Sequence, residues 1–398
     1  MSEPIHQENN YRFPWQSGNH FELLIDGPQF FQRMLEDIRH ARHYVLLEMY
    51  LVQPGHISQA FFDAFTDAVQ RNVAVYLLLD AFGSATLPDR QRRQLSARGV
   101  HLALYNPIRF KRHRLALFRD HRKVMVVDGR VAYVGGAGLV DEFDSHKHPE
   151  RNWRDNMMRI QGANVEQWQS LFVDNWQRWS TQPVETLPAP IHDSNDCGRV
   201  AITRGPQLLE IKRSFLNHVN HAQQHVWVCT AYFVPSRKLR RALRRAAQRG
   251  VDVRILVPGA ITDVPMARYL GQKYYARLLD SGVKIFEYQH RFLHSKIVLC
   301  DNWTSMGSCN IDRWNMHWNL DANQEVRSEA FTRDAITMFE QDFADSIQIM
   351  PEMWQRRSLL NRLRIAFWTL LAYLAERLLI RLRFLKNWRQ MRDSKKGK

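Results

Sequence analysis

The sequence predicts an α/β protein: two similar α/β/α sandwich halves with mixed β-sheets, related by a pseudo-twofold axis, followed by a C-terminal amphipathic helix. Two observations carry this prediction. Short apolar runs of strand length alternate with longer helical patterns, as expected where helices cover both faces of a sheet. The landmarks of the first half also recur in order in the second, at an offset near 178 to 183 residues, which reads as a duplication.

In the first half, Gly27-Pro28-Gln29 opens a helical pattern that reaches His40-Ala41. A β-type run follows over 44–52, then a helix near 57–71 and a strand over 73–79. A further helix runs to Arg98, Gly99-Val100 punctuates, and a strand covers 102–105. The second half repeats this plan. Gly205-Pro206-Gln207 opens a helix reaching His221-Ala222, and a run over 226–234, a helix to Arg249 and a strand over 251–257 follow. A helix to Ser281, then Gly282-Val283 and a strand over 284–288, complete it. Pro183, Pro188 and Pro190, with residues 193–198, mark a linker. The expected organisation is an N-terminal extension (1–20), a first half (21–182), a linker (183–199), a second half (200–350) and a basic tail (351–398).

The chain has 398 residues and 45% apolar content, enough for two sizeable cores. Its net charge of +16 points to an anionic partner: nucleic acid, an acidic membrane surface or a phosphorylated substrate. That charge is uneven. Residues 356–398 hold thirteen Lys/Arg against Glu376 and Asp393, a net +11, so the body is only mildly basic. Cys197, Cys229, Cys300 and Cys309 have no CxxC spacing and read as reduced thiols in a cytoplasmic setting. Neither a metal nor a cofactor is expected from the motifs. The N-terminus lacks the basic and apolar regions of a signal peptide, and the longest apolar run, 365–375, is too short to span a bilayer.

The chemistry-bearing motif also occurs twice. His121-Arg122-Lys123 leads to Asp128 and then Gly135-Gly136; His294-Ser295-Lys296 leads to Asp301 and then Gly307-Ser308. Both read HxKxxxxD. One copy is weak evidence, because chance supplies it often; two copies at matching places in a duplicated chain are strong evidence. His and Lys at i and i+2 on a strand share a face. Two such halves facing each other would surround one anion-sized space with two imidazoles and two ammonium groups. That set suits a phosphodiester: a neutral His attacks phosphorus, a protonated His serves the leaving oxygen, and the lysines neutralise the phosphoryl oxygens.

With these motifs, the chain resembles the phospholipase D superfamily, and within it bacterial cardiolipin synthases of the short type without N-terminal membrane spans. The resemblance runs from about Phe21 to Glu325. It also rests on Glu48-Met49-Tyr50, on Asp80 to Ser84 and on Asn152-Trp153-Arg154-Asp155 with Trp168, Phe172 and Trp176. In the second half it rests on Asn310-Ile311-Asp312-Arg313 and Asn319-Leu320-Asp321. Three departures stand out: Gly138 where the family has an Asn, Trp314-Asn315 in place of a Ser, and Asp321 in place of Glu.

The resemblance implies a covalent phosphohistidine formed and broken in two displacements without a metal. His121 is then the nucleophile and His294 the acid, later the base, although the near-symmetric motif leaves that assignment open. The catalytic set is His121, Lys123, Asp128, His294, Lys296 and Asp301, with Asp128 and Asp301 expected to fix the turn after each strand. Asp155 and Asp321 are expected to hydrogen-bond the histidines, or else to be ordinary surface or capping carboxylates. Ser308 and Asn310 are expected at the phosphate.

The tail places Leu360, Leu363, Phe367, Leu371, Leu374, Leu378, Leu382 and Leu385 at spacings of three and four, with Arg362, Arg377, Arg383 and Lys386 off that seam. This suits a helix lying in the headgroup region of an anionic membrane, or one packed on the protein's own body. The loop between Tyr105 and His121, longer than its second-half counterpart, carries Arg109, Lys111, Arg112, Arg114 and Arg119 among aromatic and aliphatic residues. It fits acidic headgroups, nucleic acid, or plain solvation. The expectation is therefore a phosphatidyltransferase, peripheral at the cytoplasmic side of the inner membrane. Its substrates would be phosphatidylglycerol and phosphatidylethanolamine; the alternatives are a phospholipase D-type hydrolase or a phosphodiester nuclease. Charge concentrated on an amphipathic tail fits lipid better than a nucleic-acid groove.

Overall fold

A computed structural model describes residues 11–107, 118–205, 208–312 and 319–374. The duplication is visible strand by strand. The first half contributes β1 (Asn19–Ile25), β2 (Tyr44–Met49), β3 (Ala74–Asp80), β4 (His101–Tyr105), β5 (Arg119–Asp120), β6 (Lys123–Val127), β7 (Val131–Gly135) and β8 (Asn156–Gly162). The second contributes β9 (Cys197–Arg204), β10 (Leu208–Leu209), β11 (His225–Cys229), β12 (Asp252–Pro258), β13 (Lys284–Tyr288), β14 (Ile297–Cys300), β15 (Trp303–Gly307), β16 (Asn319–Arg327) and β17 (Ser346–Ile349).

The first sheet runs β1-β8-β7-β6-β2-β3-β4, and the second contains the same order in its own elements, β9-β16-β15-β14-β11-β12-β13. In both, the three strands joined through helices are parallel and the rest antiparallel, so each sheet is mixed. Strands such as Tyr44–Met49 are buried at every position, the mark of a sheet covered on both faces. β1 and β9, which precede the helices, were not among the strands read from the sequence.

Outer helices Gly27–Arg39 and His56–Gln70 cover the first sheet through Phe30, Met34, Phe61 and Phe65. Helices Glu210–His221 and Arg237–Gln248 do the same for the second through Phe215, Val219, Leu239 and Leu243. Between the sheets lie Asn164–Trp176 and Glu329–Ala344, whose Trp168, Phe172, Trp176, Phe331 and Phe339 share one core with inward residues of both sheets. Burying such aromatic side chains stabilises the join between halves by roughly 1.5–3 kcal/mol each. Buried polar contacts fix its register: Trp168 Nε1 donates to Gln324 Oε1 at 2.8 Å, and the Arg154 guanidinium grips Asp342 through two 3.0 Å hydrogen bonds.

The chain also crosses between halves. β5 leaves the first sheet and pairs in parallel with β16 of the second. The reciprocal crossing is a bridge between Arg154 and Leu293. At the C-terminal end a helix occupies residues 359–374. Among the described residues no helix is long and apolar enough to cross a membrane.

Candidate active site

Both crossings end on a histidine. His121 follows β5 directly, and its amide donates to Leu320 O at 3.0 Å, one residue before Asp321. The His294 amide donates to Arg154 O at 2.8 Å, one residue before Asp155. Each histidine is therefore registered by backbone against a segment of the opposite half. The side chains complete the exchange: His121 Nδ1 lies 2.9 Å from Asp321 Oδ1, and His294 Nδ1 lies 2.7 Å from Asp155 Oδ2. Both carboxylates are fully buried. With Nδ1–H donated to a carboxylate, Nε2 of each ring is left to carry a lone pair or a proton.

The histidines stand in the extended segments entering β6 and β14, not within the strands, yet the i, i+2 relation still brings each lysine to its histidine. Lys123 Nζ donates to His121 O at 2.6 Å, and Lys296 Nζ donates to His294 O while lying 3.0 Å from both ring nitrogens. The halves meet in one field, because the charge of Lys296 depresses Lys123 and that of Lys123 depresses His294. Burial, then the neighbouring lysine, pushes His121 down to about 4 and His294 down to about 3. Burial and the Lys296 charge bring Lys123 down to about 7. Burial alone would raise Asp155 and Asp321, but the lysine and histidine charges outweigh it and hold both below the usual carboxylate range. Both imidazoles of the free protein are thus neutral at pH 7, beside the buried Lys123 and Lys296.

Walls of the site come from residues read from the sequence only as landmarks, or not at all. The Tyr50 ring meets His121 edge-on at 5.0 Å and lies 5.0 Å from Lys123 Nζ. Trp153 and Phe143 flank His294 at 5.4 and 5.6 Å. Behind His121, Asp80 Oδ2 accepts the Asp120 amide at 2.9 Å, and Glu48 accepts from Arg122 Nη1 at 3.1 Å and Asn175 Nδ2 at 3.0 Å. This explains physically why Glu48 and Asp80 stand where they do: they fix the crossing strand that delivers the histidine. Arg119 lies over the Phe82 ring at 5.4 Å; residues 109–117 of the basic loop fall outside the described residues.

Three of the expected site residues make structural contacts. Asp128 and Asp301 sit at the far end of their strands, in left-handed turns at φ 52° and 51°. Asp128 accepts the amides of Arg42, His43 and Tyr44, each at 2.8 Å, and Asp301 accepts those of Gln223, Gln224 and His225 at 2.8 to 3.0 Å. They pin each motif strand to the start of its neighbour. Ser308, expected at the phosphate, donates its hydroxyl to Asp321 Oδ1 at 2.8 Å and so positions that carboxylate. Its first-half counterpart, Gly136, leaves room for Asp155: a Cβ there would lie 2.5 Å from Asp155 Oδ2. Asn310 is fully buried with neither amide atom hydrogen-bonded among the described residues, which leaves it able to serve an oxyanion. Among the described residues no group of three His, Cys, Asp or Glu side chains could hold a metal ion.

Comparison with known proteins agrees with this geometry. The family described as cardiolipin synthase, PLD-like domain, matches residues 34–176 and 215–343, one block in each half. Cardiolipin synthase A of Pseudomonas aeruginosa is 34% identical over 353 residues, covering 87% of this chain and 71% of the relative. A cardiolipin synthase of a Geobacillus species is 31% identical over 345 residues, covering 85% and 68%. Among solved structures, the phosphatidylserine synthase of Haemophilus influenzae superimposes with a TM-score of 0.70 at 15% identity, covering 94% of this chain and 97% of that one. At that identity the likeness speaks for the fold, and it confirms the mixed α/β architecture of two related halves. With two braced histidines, a duplicated sheet and a family match across most of its length, the chain belongs to the cardiolipin synthase family of phospholipase D-like proteins.

Proposed function

We propose that this protein is a phosphatidyltransferase of the cardiolipin synthase type. It moves a phosphatidyl group from one phospholipid to a hydroxyl of another, with phosphatidylglycerol as acceptor and phosphatidylglycerol or phosphatidylethanolamine as lipid substrates. The observation that carries this reading is the reciprocal bracing of His121 by Asp321 and His294 by Asp155 in a family of lipid synthases.

The chemistry follows from the tautomers. Neutral His121 attacks the donor phosphorus through Nε2, forming a P–N bond as the bond to the leaving alcohol oxygen breaks. His294, protonated once the phosphate is bound, gives its proton to that oxygen. The acceptor hydroxyl then passes its proton to neutral His294 and attacks phosphorus, and the P–N bond breaks to return neutral His121. Lys123, Lys296 and the Asn310 amide are assigned to the phosphoryl oxygens. Phe367 and the leucines of helix 359–374, exposed to solvent, support a peripheral seat on a membrane; the proposed location is the cytoplasmic side of the inner membrane.

Incubating the purified protein with labelled phosphatidylglycerol, with and without phosphatidylethanolamine, tests this reading through its lipid products. Labelled cardiolipin is expected. Phosphatidic acid alone would identify a hydrolase, and cleavage of nucleic acid without lipid turnover would identify a nuclease.

A further inference from the structure

We propose that a basic pocket in the second half, separate from the two-histidine centre, binds the headgroup phosphates of anionic phospholipids and seats the protein on a bilayer. This deepens the membrane reading above and rests on it. Helix Arg237–Gln248 buries Leu239, Ala242, Leu243 and Ala246 at spacings of three and four, so its arginines take the outer face. Arg237, Arg240, Arg241 and Arg244 converge there with Lys273 and Arg277 around a pocket of about 480 Å³, and among the described residues no carboxylate lines it.

Part of this cluster is fixed in place. Arg240 lies 4.0 Å over the Tyr274 ring and donates to Pro235 O at 2.6 Å, while Arg244 Nε donates to Ser281 Oγ at 2.7 Å. Arg237, Arg241, Lys273 and Arg277 make no ion pair among the described residues. Six like charges around one cavity repel one another, and an anion is the partner that relieves the repulsion.

What lies beside the pocket narrows the anion. Helix 359–374 rests on the body through Ile365 and Ala372, and Ala372 packs with Val234, Leu270 and the same Tyr274 that lines the pocket. At about 100° per residue the opposite face carries Leu360, Leu363, Phe367, Leu371 and Leu374. These are 42% to 59% exposed. An apolar ridge alone would fit a protein partner, and an arginine pocket alone would fit phosphate or nucleic acid. A helix that turns such a ridge outward while its inner face packs beside a tyrosine of the pocket matches an anionic lipid surface, with acyl chains under the ridge and phosphates in the pocket.

The test uses the full chain with Arg237→Gln, Arg241→Gln and Arg277→Gln combined, and separately with Leu363→Gln and Phe367→Gln. Partition is measured on vesicles of phosphatidylcholine with and without one-third phosphatidylglycerol, and transfer on soluble dihexanoyl phosphatidylglycerol. For the arginine variant, partition on anionic vesicles should fall by about a hundredfold, at roughly fivefold per charge. Soluble transfer should be unchanged, and Tm without lipid should rise as the repulsion is relieved. If the arginine variant binds anionic vesicles like the parent, the pocket proposal fails; if the ridge variant has meanwhile lost binding, the membrane reading survives without it. If neither variant loses binding, both fail. Loss of nucleic-acid binding with vesicle binding intact would also overturn the proposal.

Discussion

Binding of a phosphodiester anion should draw a proton into the site, because both histidines are held neutral in the free protein at about 4 and about 3. Opposite charges about 4 Å apart at an effective dielectric near 20 interact by about 4 kcal/mol. At about 1.4 kcal/mol per pKa unit, this lifts a histidine beside the phosphate by about three units, taking His294 to about 6. Lys123, at about 7 when free, moves upward in the same direction. The sign follows: the complex binds more protons than the free protein, so affinity strengthens as pH falls from about 8 toward 5. Calorimetry with dimethyl phosphate, in buffers of differing ionisation enthalpy, should show net proton uptake at pH 6 from the histidines. Further uptake near pH 7 should come from Lys123. His294→Ala should reduce the pH 6 uptake, and Lys123→Gln should remove the part near pH 7. Zero uptake, proton release, or an unchanged value in His294→Ala would refute the electrostatic account of the site.

Asp155→Asn and Asp321→Asn should each lower kcat by about 10²–10⁴ with KM little changed, because an amide no longer fixes the tautomer that leaves Nε2 free. Circular dichroism checks that the fold persists. Asp128→Ala and Asp301→Ala should act on stability instead, since each removes three charge-assisted hydrogen bonds to backbone amides. A loss of about 2–4 kcal/mol is expected in denaturant melts, with transfer retained by the folded fraction at low temperature. Exhaustive chelation should leave transfer intact, since Lys123 and Lys296 supply the positive charge at the phosphate. A loss restored only by added divalent ion, with the lipid phase unchanged, would contradict this.

What the sequence conveyed was local. Two HxKxxxxD motifs, the repeated Gly-Pro-Gln and Gly-Val landmarks and the alternation of strand and helix lie within short windows, so the duplicated fold and His121, Lys123, His294 and Lys296 could be read directly. The exchange of carboxylates could not. His121 and Asp321 are 200 residues apart, His294 and Asp155 are 139 apart, and no spacing rule encodes which pairs with which. Asp128 belongs to the same motif as His121, yet the strand between them carries it to the opposite end of β6; contiguity in a motif is not proximity in space. β5 is two residues long and crosses to the other half, so periodicity had nothing to register. In the tail the apolar seam is legible in the sequence through Leu385, and the structure turns it outward as far as Leu374; Leu378, Leu382 and Leu385 lie outside the described residues.

The most direct test of the two-histidine account is to trap the covalent intermediate. The protein is quenched during turnover of phosphorus-labelled short-chain phosphatidylglycerol, and the adduct is mapped by mass spectrometry. The account predicts a phosphoryl group on His121, absent from His121→Ala and persisting in His294→Gln, where the second displacement lacks its base. A stable adduct on His294 would reverse the roles, and turnover with no histidine adduct under any quench would contradict the mechanism.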